Sequence, residues 1–229
     1  MKQKIGKTGE LAWLLGNILC ALGVCLTAKS GLGVSIVVAP AFVIYRKISE
    51  FFTFFTFGMA EYILQGLILL STCMILRKFK IKYILAILTI VFYGAILDGW
   101  YMIFGNEIYP FLWQRIVFAS IGLVITAFAI ALMLRTYLPQ EAYEVFVAEI
   151  SNGFSLNINK VKWIYDISSF TVAIILMLIL LKEFSFEIIG PLTIVCVFIN
   201  SPMIAFFGKI LEKYFDFSPA FPKLYNVLK

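Results

Sequence analysis

The 229-residue chain is 62% hydrophobic, 17% aromatic and only 14% charged, with a mean hydropathy of +0.98. A soluble domain is nearer half apolar and a quarter charged, so this surplus cannot be hidden in one core and implies a polytopic membrane protein. The net charge of +6, which in a soluble protein would suggest nucleic acid, is explained below by topology, and the absence of histidine removes the usual metal ligand and neutral-pH base.

A helix crossing a bilayer of about 30 Å needs roughly 20 mostly apolar residues at about 1.5 Å each. The first such run is 11–28. The preceding MKQKIGKTGE and the Leu26-Thr27-Ala28 sequence imitate a secretory leader and its cleavage site, but the repeat described below requires this segment, which is therefore read as the first span. It ends in LTAKSGLGVS at 26–35, where Lys29 is expected to snorkel to the membrane surface and Gly31 and Gly33 to allow a sharp turn. The next stretch, VSIVVAPAFVIYRK at 34–47, is too apolar for solvent and too short to cross, and reads as a short interfacial or re-entrant helix.

Spans at 56–76 and 83–104 follow, carrying Glu61 and Asp98, and then a span at 113–134. The phrase LMLRTYLPQE at 132–141 echoes the first turn, with Arg135 in place of lysine and Pro139 in place of a glycine. A second short helix is expected over 139–150, with Pro139 in its first turn and Tyr143, Phe146, Val147 and Ile150 on a face opposite Glu141, Glu144 and Glu149. The last spans are 163–181, with Asp166 near its start, and 188–208, interrupted by Asn200-Ser201-Pro202. Trp13, Tyr62, Tyr83, Trp100, Tyr101, Trp113 and Trp163 fall where interfacial aromatic belts are expected.

Placing the amino terminus in the cytoplasm puts fourteen lysines and arginines inside, among them the cluster Arg77, Lys78, Lys80 and Lys82, and five outside. The positive-inside rule then favours both termini on the cytoplasmic side. The four cysteines, Cys20, Cys25, Cys73 and Cys196, lie in apolar runs without metal-binding spacing and read as small buried residues.

Sliding the chain on itself at an offset of 106 pairs Gly16 with Gly122, Leu26 with Leu132 and Lys29 with Arg135. At 105 Glu61 meets Asp166 and Arg77 meets Lys182, and at 104 the string Leu-Thr-Ile-Val at 88–91 falls on 192–195. Each unit is span, short helix, span, span. Three being odd, the second unit enters the membrane from the opposite side, which gives two inverted-topology three-helix repeats, about 10–105 and 112–210, in one membrane domain with a tail at 211–229. All-α architecture with six transmembrane helices is the fold class.

Ionisable groups within the hydrocarbon cost on the order of 2.5–3.5 kcal/mol each on insertion scales. Glu61 and Asp166, each 16 residues before a basic residue ending its helix, are candidate solute or ion sites. Their alternative reading is as acids in first helical turns, tolerated by the positive helix end. Asp98, Asn200 and Asn17 complete the candidate solute-binding set; Pro202 frees a backbone carbonyl, and an interhelical hydrogen bond explains Asn17 equally well. No phosphate loop, nucleophile elbow or Ser/Cys–His pair is present, so no catalytic residue, metal or cofactor is expected.

The phrases LGNILCALGVCLTAKSGLGVS at 15–35, LPQEAYEVF at 138–146, NKVKWIYD at 159–166 and GPLTIVCVFINSP at 190–202 resemble the YczE/YyaS/YitT-type bacterial integral membrane proteins. The family's Gly-x-Gly-Thr start of the last span appears here as Gly190-Pro191-Leu192-Thr193, and its mid-span glycine is replaced near Ser201-Pro202. That resemblance implies a multi-spanning plasma-membrane transporter or a membrane protein of unknown function. The reading reached is a transporter or binding protein for a small cationic or amphipathic solute at the repeat interface. Its alternatives are the solute-binding subunit of an uptake system, docking through the small-residue faces Gly16/Cys20 and Ala21/Cys25, and a scaffold for a secretion or biosynthetic complex. The expected partners are the bilayer, the solute and a second copy or partner membrane subunit; nucleic acid is not among them.

Overall fold

A computed structural model describes residues 6–105, 108–222 and 225. Among the described residues the chain forms α1 (Gly9–Ser30), α2 (Ala39–Ser49), α3 (Phe57–Leu76), α4 (Ile81–Phe104), α5 (Leu112–Met133), α6 (Ala142–Gly153), α7 (Ile158–Leu176), which continues as a π-helical turn Met177–Leu181, and α8 (Pro191–Tyr214), with no strand. Six of these, all but α2 and α6, are long and apolar enough to cross a membrane. The chain is a multi-pass helical membrane protein.

Helix ends fall where local chemistry ends them. Gly31 caps α1 at φ +59°, and Gly33 follows at φ +109°. Only a glycine suits position 33, because a Cβ there would lie 2.6 Å from the Gly190 nitrogen. The segment is pinned by backbone bonds from Val34 N–H to Ile188 O and from Leu192 N–H to Leu32 O. Arg77 and Lys182, the two basic residues paired by sequence, both close their helices in the left-handed region, at φ +49° and +57°.

The most extensive helix contact is between α1 and α5, which cross where Gly23 meets Gly122. α4 packs on α1, and α8 on α5. The two short helices both lie between α3 and α7, α2 against Phe57, Ala173 and Met177 and α6 against Gln65, Val161 and Tyr165. α3 and α4 pack along each other, whereas α7 and α8 form no comparable pair. The segments before α1 and after α8 meet at one end of the bundle: Thr8 N–H donates to Asp216 O at 3.1 Å, and Ala220 and Phe221 N–H groups donate to the Glu10 carboxylate, each at 2.9 Å. Among the basic residues counted for topology, Lys2, Lys4, Lys223 and Lys229 lie outside the described residues.

Several expectations require correction. α2 begins at Ala39 and not at 34, after a turn over 36–38. Pro139 lies before α6, which starts at Ala142; its carbonyl accepts Trp13 Nε1–H at 3.0 Å and Thr89 Oγ1–H at 3.2 Å, which fixes the entry to the helix. Lys29 does not snorkel. It is 2% exposed, because Tyr45, Tyr101 and the Arg46–Glu187 pair close over the end of α1. Trp113 and Trp163 are exposed as belt residues should be, but Tyr83 is buried, and Trp100 turns inward to bond Ile18 O.

α6 is neither an interfacial helix nor acid-out. Its N-cap Glu141 packs against Cys20, midway along α1, and its Ala142 N–H bonds Gln65, midway along α3. Its far end reaches Leu76, so it runs from inside the bundle to the end of α3, as a re-entrant helix does. Gly16, Cys20, Ala21 and Cys25, the small-residue faces of the first span, are covered within the chain, Gly16 by Met133 and Ala129 of α5. Cys20, Cys25 and Cys196 are buried, and all four thiols are free.

Candidate functional site

A cavity of about 1150 Å³ opens between α7 and α8. Its floor is the head of α6 and the segment leading to it, its back wall is Cys20, Val24, Thr126 and Ile130 of α1 and α5, and the turn before α2 contributes Ser35 to Val38. The heads of both short helices therefore meet at this cavity. Four-residue spacing along α7 (Trp163, Ile167) and along α8 (Ile194, Phe198) presents large apolar side chains at the gap, and all four are well exposed.

Of the residues singled out by sequence, Asp166 and Asn200 line this cavity, as do Arg135 and Pro139. Asp166 pairs with Lys162, one turn earlier, at 3.2 Å. Asn200 Oδ1 is buried without a hydrogen-bond partner, and α8 runs through Pro202, whose missing N–H leaves the Phe198 carbonyl without its helical donor. Arg135 bonds Ala131 O at 2.9 Å and pairs with Glu212 at 3.0 Å.

Glu61, Asp98 and Asn17 are not among the lining residues. Glu61 is fully buried behind Tyr143, whose hydroxyl donates to its Oε2 at 2.7 Å, and Gln65 Nε2–H donates to the same oxygen at 2.9 Å. Tyr143 does line the cavity, so one side chain separates Glu61 from it. Asp98 accepts Thr56 Oγ1–H at 2.7 Å and Gly58 N–H at 2.8 Å, which holds the start of α3 onto α4. Asn17 donates to Trp13 O at 2.8 Å within its own helix. Glu61 is the fifth residue of α3, but Asp166 is the ninth of α7, so an acid in a first helical turn does not describe Asp166.

The sequence reading missed Glu141 and Glu144 as cavity groups, placing them only on the polar face of a short helix. Burial, together with the charge of Glu144 and then Glu61, pushes the Glu141 carboxyl well above its ordinary range. Glu144 is also raised by burial, with Lys162 offsetting part of the effect and Asp166 adding to it. Glu149 goes the other way: burial opposes its ionisation, but hydrogen bonds from Lys80, Lys82 and Tyr83 outweigh this and hold it below the usual value. The cations of the lining set are thus engaged, Lys82 with Glu149, Arg135 with Glu212 and Lys162 with Asp166, which leaves the carboxyls of Glu141 and Glu144 as the lining acids without an ion-pair partner. Among the described residues no three His, Cys, Asp or Glu side chains gather closely enough to hold a metal ion.

A family model matches residues 8–209, which takes in the first five spans and α8 as far as Lys209, five residues before its end. The chain belongs to DUF6198, a family of unknown function. No curated protein and no solved structure gives a match. The site of this DUF6198 protein is a wide, mostly apolar space with carboxyl groups on its floor, reached between two helices that bury little of their surface within the chain.

Proposed function

We propose that this protein is a bacterial plasma-membrane transporter of the YczE/YyaS/YitT type, not an enzyme, that moves an amphipathic cation between two inverted repeats by alternating access, with both termini cytoplasmic. The observation that carries this reading is a second, nearly closed space. A pocket of about 40 Å³ is lined by eight residues, of which Ala28, Lys29, Phe42 and Tyr101 correspond, at the repeat offsets of 106 and 104, to Leu134, Arg135, Ala148 and Ala205 of the large cavity. On the repeat reading, these are equivalent places of the two halves, one open and one shut, which supports alternating access. The packing agrees, since α3 and α4 are in contact while their counterparts α7 and α8 are apart. Exchanging the two arrangements closes one access route and opens the other, which is the behaviour expected of inverted-repeat carriers.

The acidic surplus at Glu141 and Glu144 favours a cation, and walls such as Val24, Ile130, Phe170 and Ile204 favour an apolar body. The binding-subunit alternative has less support, because the small-residue faces of α1 on which it relied are buried by the chain itself.

Proteoliposomes given an imposed pH gradient test this with ethidium, tetraphenylphosphonium and a long-chain trimethylammonium as probes. Gradient-dependent uptake of at least one, above empty vesicles, is expected, with affinity falling by about tenfold in Glu144→Gln, the size of one lost charge-assisted contact. Uptake equal to empty vesicles for all three refutes the reading.

A further inference from the structure

The head of α6 sits among polar groups that lack partners. Glu141 is 6% exposed, and its Oε1 accepts the Cys20 thiol at 3.3 Å. Glu61 Oε1 has no hydrogen-bond partner, although Oε2 has two. Tyr93, brought in by α4, is fully enclosed with its hydroxyl unpartnered. Two carboxylates therefore meet at the head of α6 with no basic side chain donating to either; Lys162, the nearest cation acting on Glu141, is bonded to Asp166.

Ionising both acids would set two like charges close together in a largely buried, low-dielectric setting. Such pairs resolve by keeping one proton between them. A proton also needs no cavity of its own, and it supplies the donor that Glu61 Oε1 lacks. We propose that the head of α6 is a proton-binding site, in which Glu141 carries one proton facing Glu61 and Tyr93 and exchanges it with the solute cavity through Glu144.

The groups that set its affinity come from every neighbouring element: Cys20 of α1, Glu61 of α3, Tyr93 of α4, Tyr143 and Glu144 of α6, and Lys162, Tyr165 and Asp166 of α7. Burial and the charges of Glu144 and Glu61 already favour the neutral form of Glu141. On release, the O–H bond of Glu141 breaks and its electron pair stays on the carboxylate. The proton passes to the Glu144 carboxylate and from there to water in the cavity, which Glu144 lines. A cation entering the acidic floor would favour that release, so proton and solute would exchange. That exchange role rests on the transport reading; the proton site itself does not.

Infrared titration of the full chain in lipid vesicles, with glutamate carrying carbon-13, tests the site without any solute. The expected result is a protonated-carboxyl band that persists at neutral pH in the wild type and is lost in Glu141→Gln. In Glu61→Gln, which keeps a hydrogen-bonding side chain, the band remains but its midpoint falls by about one pH unit or more as the like charge is removed. A wild-type band that titrates near the ordinary glutamate value of about 4.3, or one untouched by Glu141→Gln, overturns the site. So does a thermal stability that rises with sodium and not with protons, which would place a metal cation there instead. Failure of probe uptake with the band intact would remove the carrier reading and leave the proton site standing.

Discussion

At the scale of single residues, the acids divide by what faces them. Asp98 has every mark of a structural group: it accepts two hydrogen bonds at the start of α3, and Gly58 leaves it room, since a Cβ there would lie 2.7 Å from the Asp98 carboxyl carbon. Asp98→Ala should therefore cost about 1–3 kcal/mol by leaving the Gly58 N–H unpaired, seen as a lower unfolding temperature in detergent. Glu149 makes a pH prediction. Its folded-state value is depressed, so its contribution is present above the unfolded value of about 4.3 and is lost as pH falls through the lower folded value. Unfolding temperature followed down this acid range should drop in the wild type, and Glu149→Gln should start lower and lose that part of the drop. An identical profile in the variant would show that Lys80 and Lys82 contribute nothing through it.

Among the elements, the α1–α5 pair is the spine on which the others hang. Gly122 is needed there, because a Cβ would lie 2.8 Å from Gly23 O and 3.0 Å from Thr27 N, backbone atoms that cannot swing aside. Gly122→Ala should push the two helices apart and cost about 1–3 kcal/mol, whereas Gly66→Ala, in open space on α3, should leave the unfolding temperature unchanged or raise it. Equal effects at both sites would refute the close crossing. The spans themselves were legible, since length and apolar content are local properties and their predicted limits differ from the observed ones by a few residues. The location of α6 was not. Glu141 and Glu149 look like the polar face of a short helix along the sequence, and only Lys80, Lys82 and Tyr83, more than sixty residues away, make burial of Glu149 tolerable. Lys29 misled for a similar reason, because the groups that cover it come from α2, α4 and the turn before α8. Of the site, Asp166 and Asn200 were visible as polar breaks in apolar spans, while the partners of Glu61 had one local hint, Gln65 one turn further on.

The whole molecule is where the two halves part company. Both halves have the same order of helices, although α7 ends in a π-helical turn and α8 carries Pro202, and α3 packs along α4 while α7 stands off α8. On the proposed carrier reading the difference is required, because a solute path open at both ends would dissipate any gradient. Pulsed electron–electron distance measurements can test this. Nitroxides at Ile167 and Phe198 span the open gap, and labels at Ile63 and Val91 report on the closed pair; all four residues are exposed apolar positions where a label displaces no core packing. If the gap alternates, saturating probe cation or a pH change will shorten the α7–α8 distance and lengthen the α3–α4 distance in the same samples. The two changes must be reciprocal, since one rocking motion produces both. A gap that keeps one width under all conditions, with α3 and α4 fixed, would make the cavity a static binding site and end the carrier interpretation.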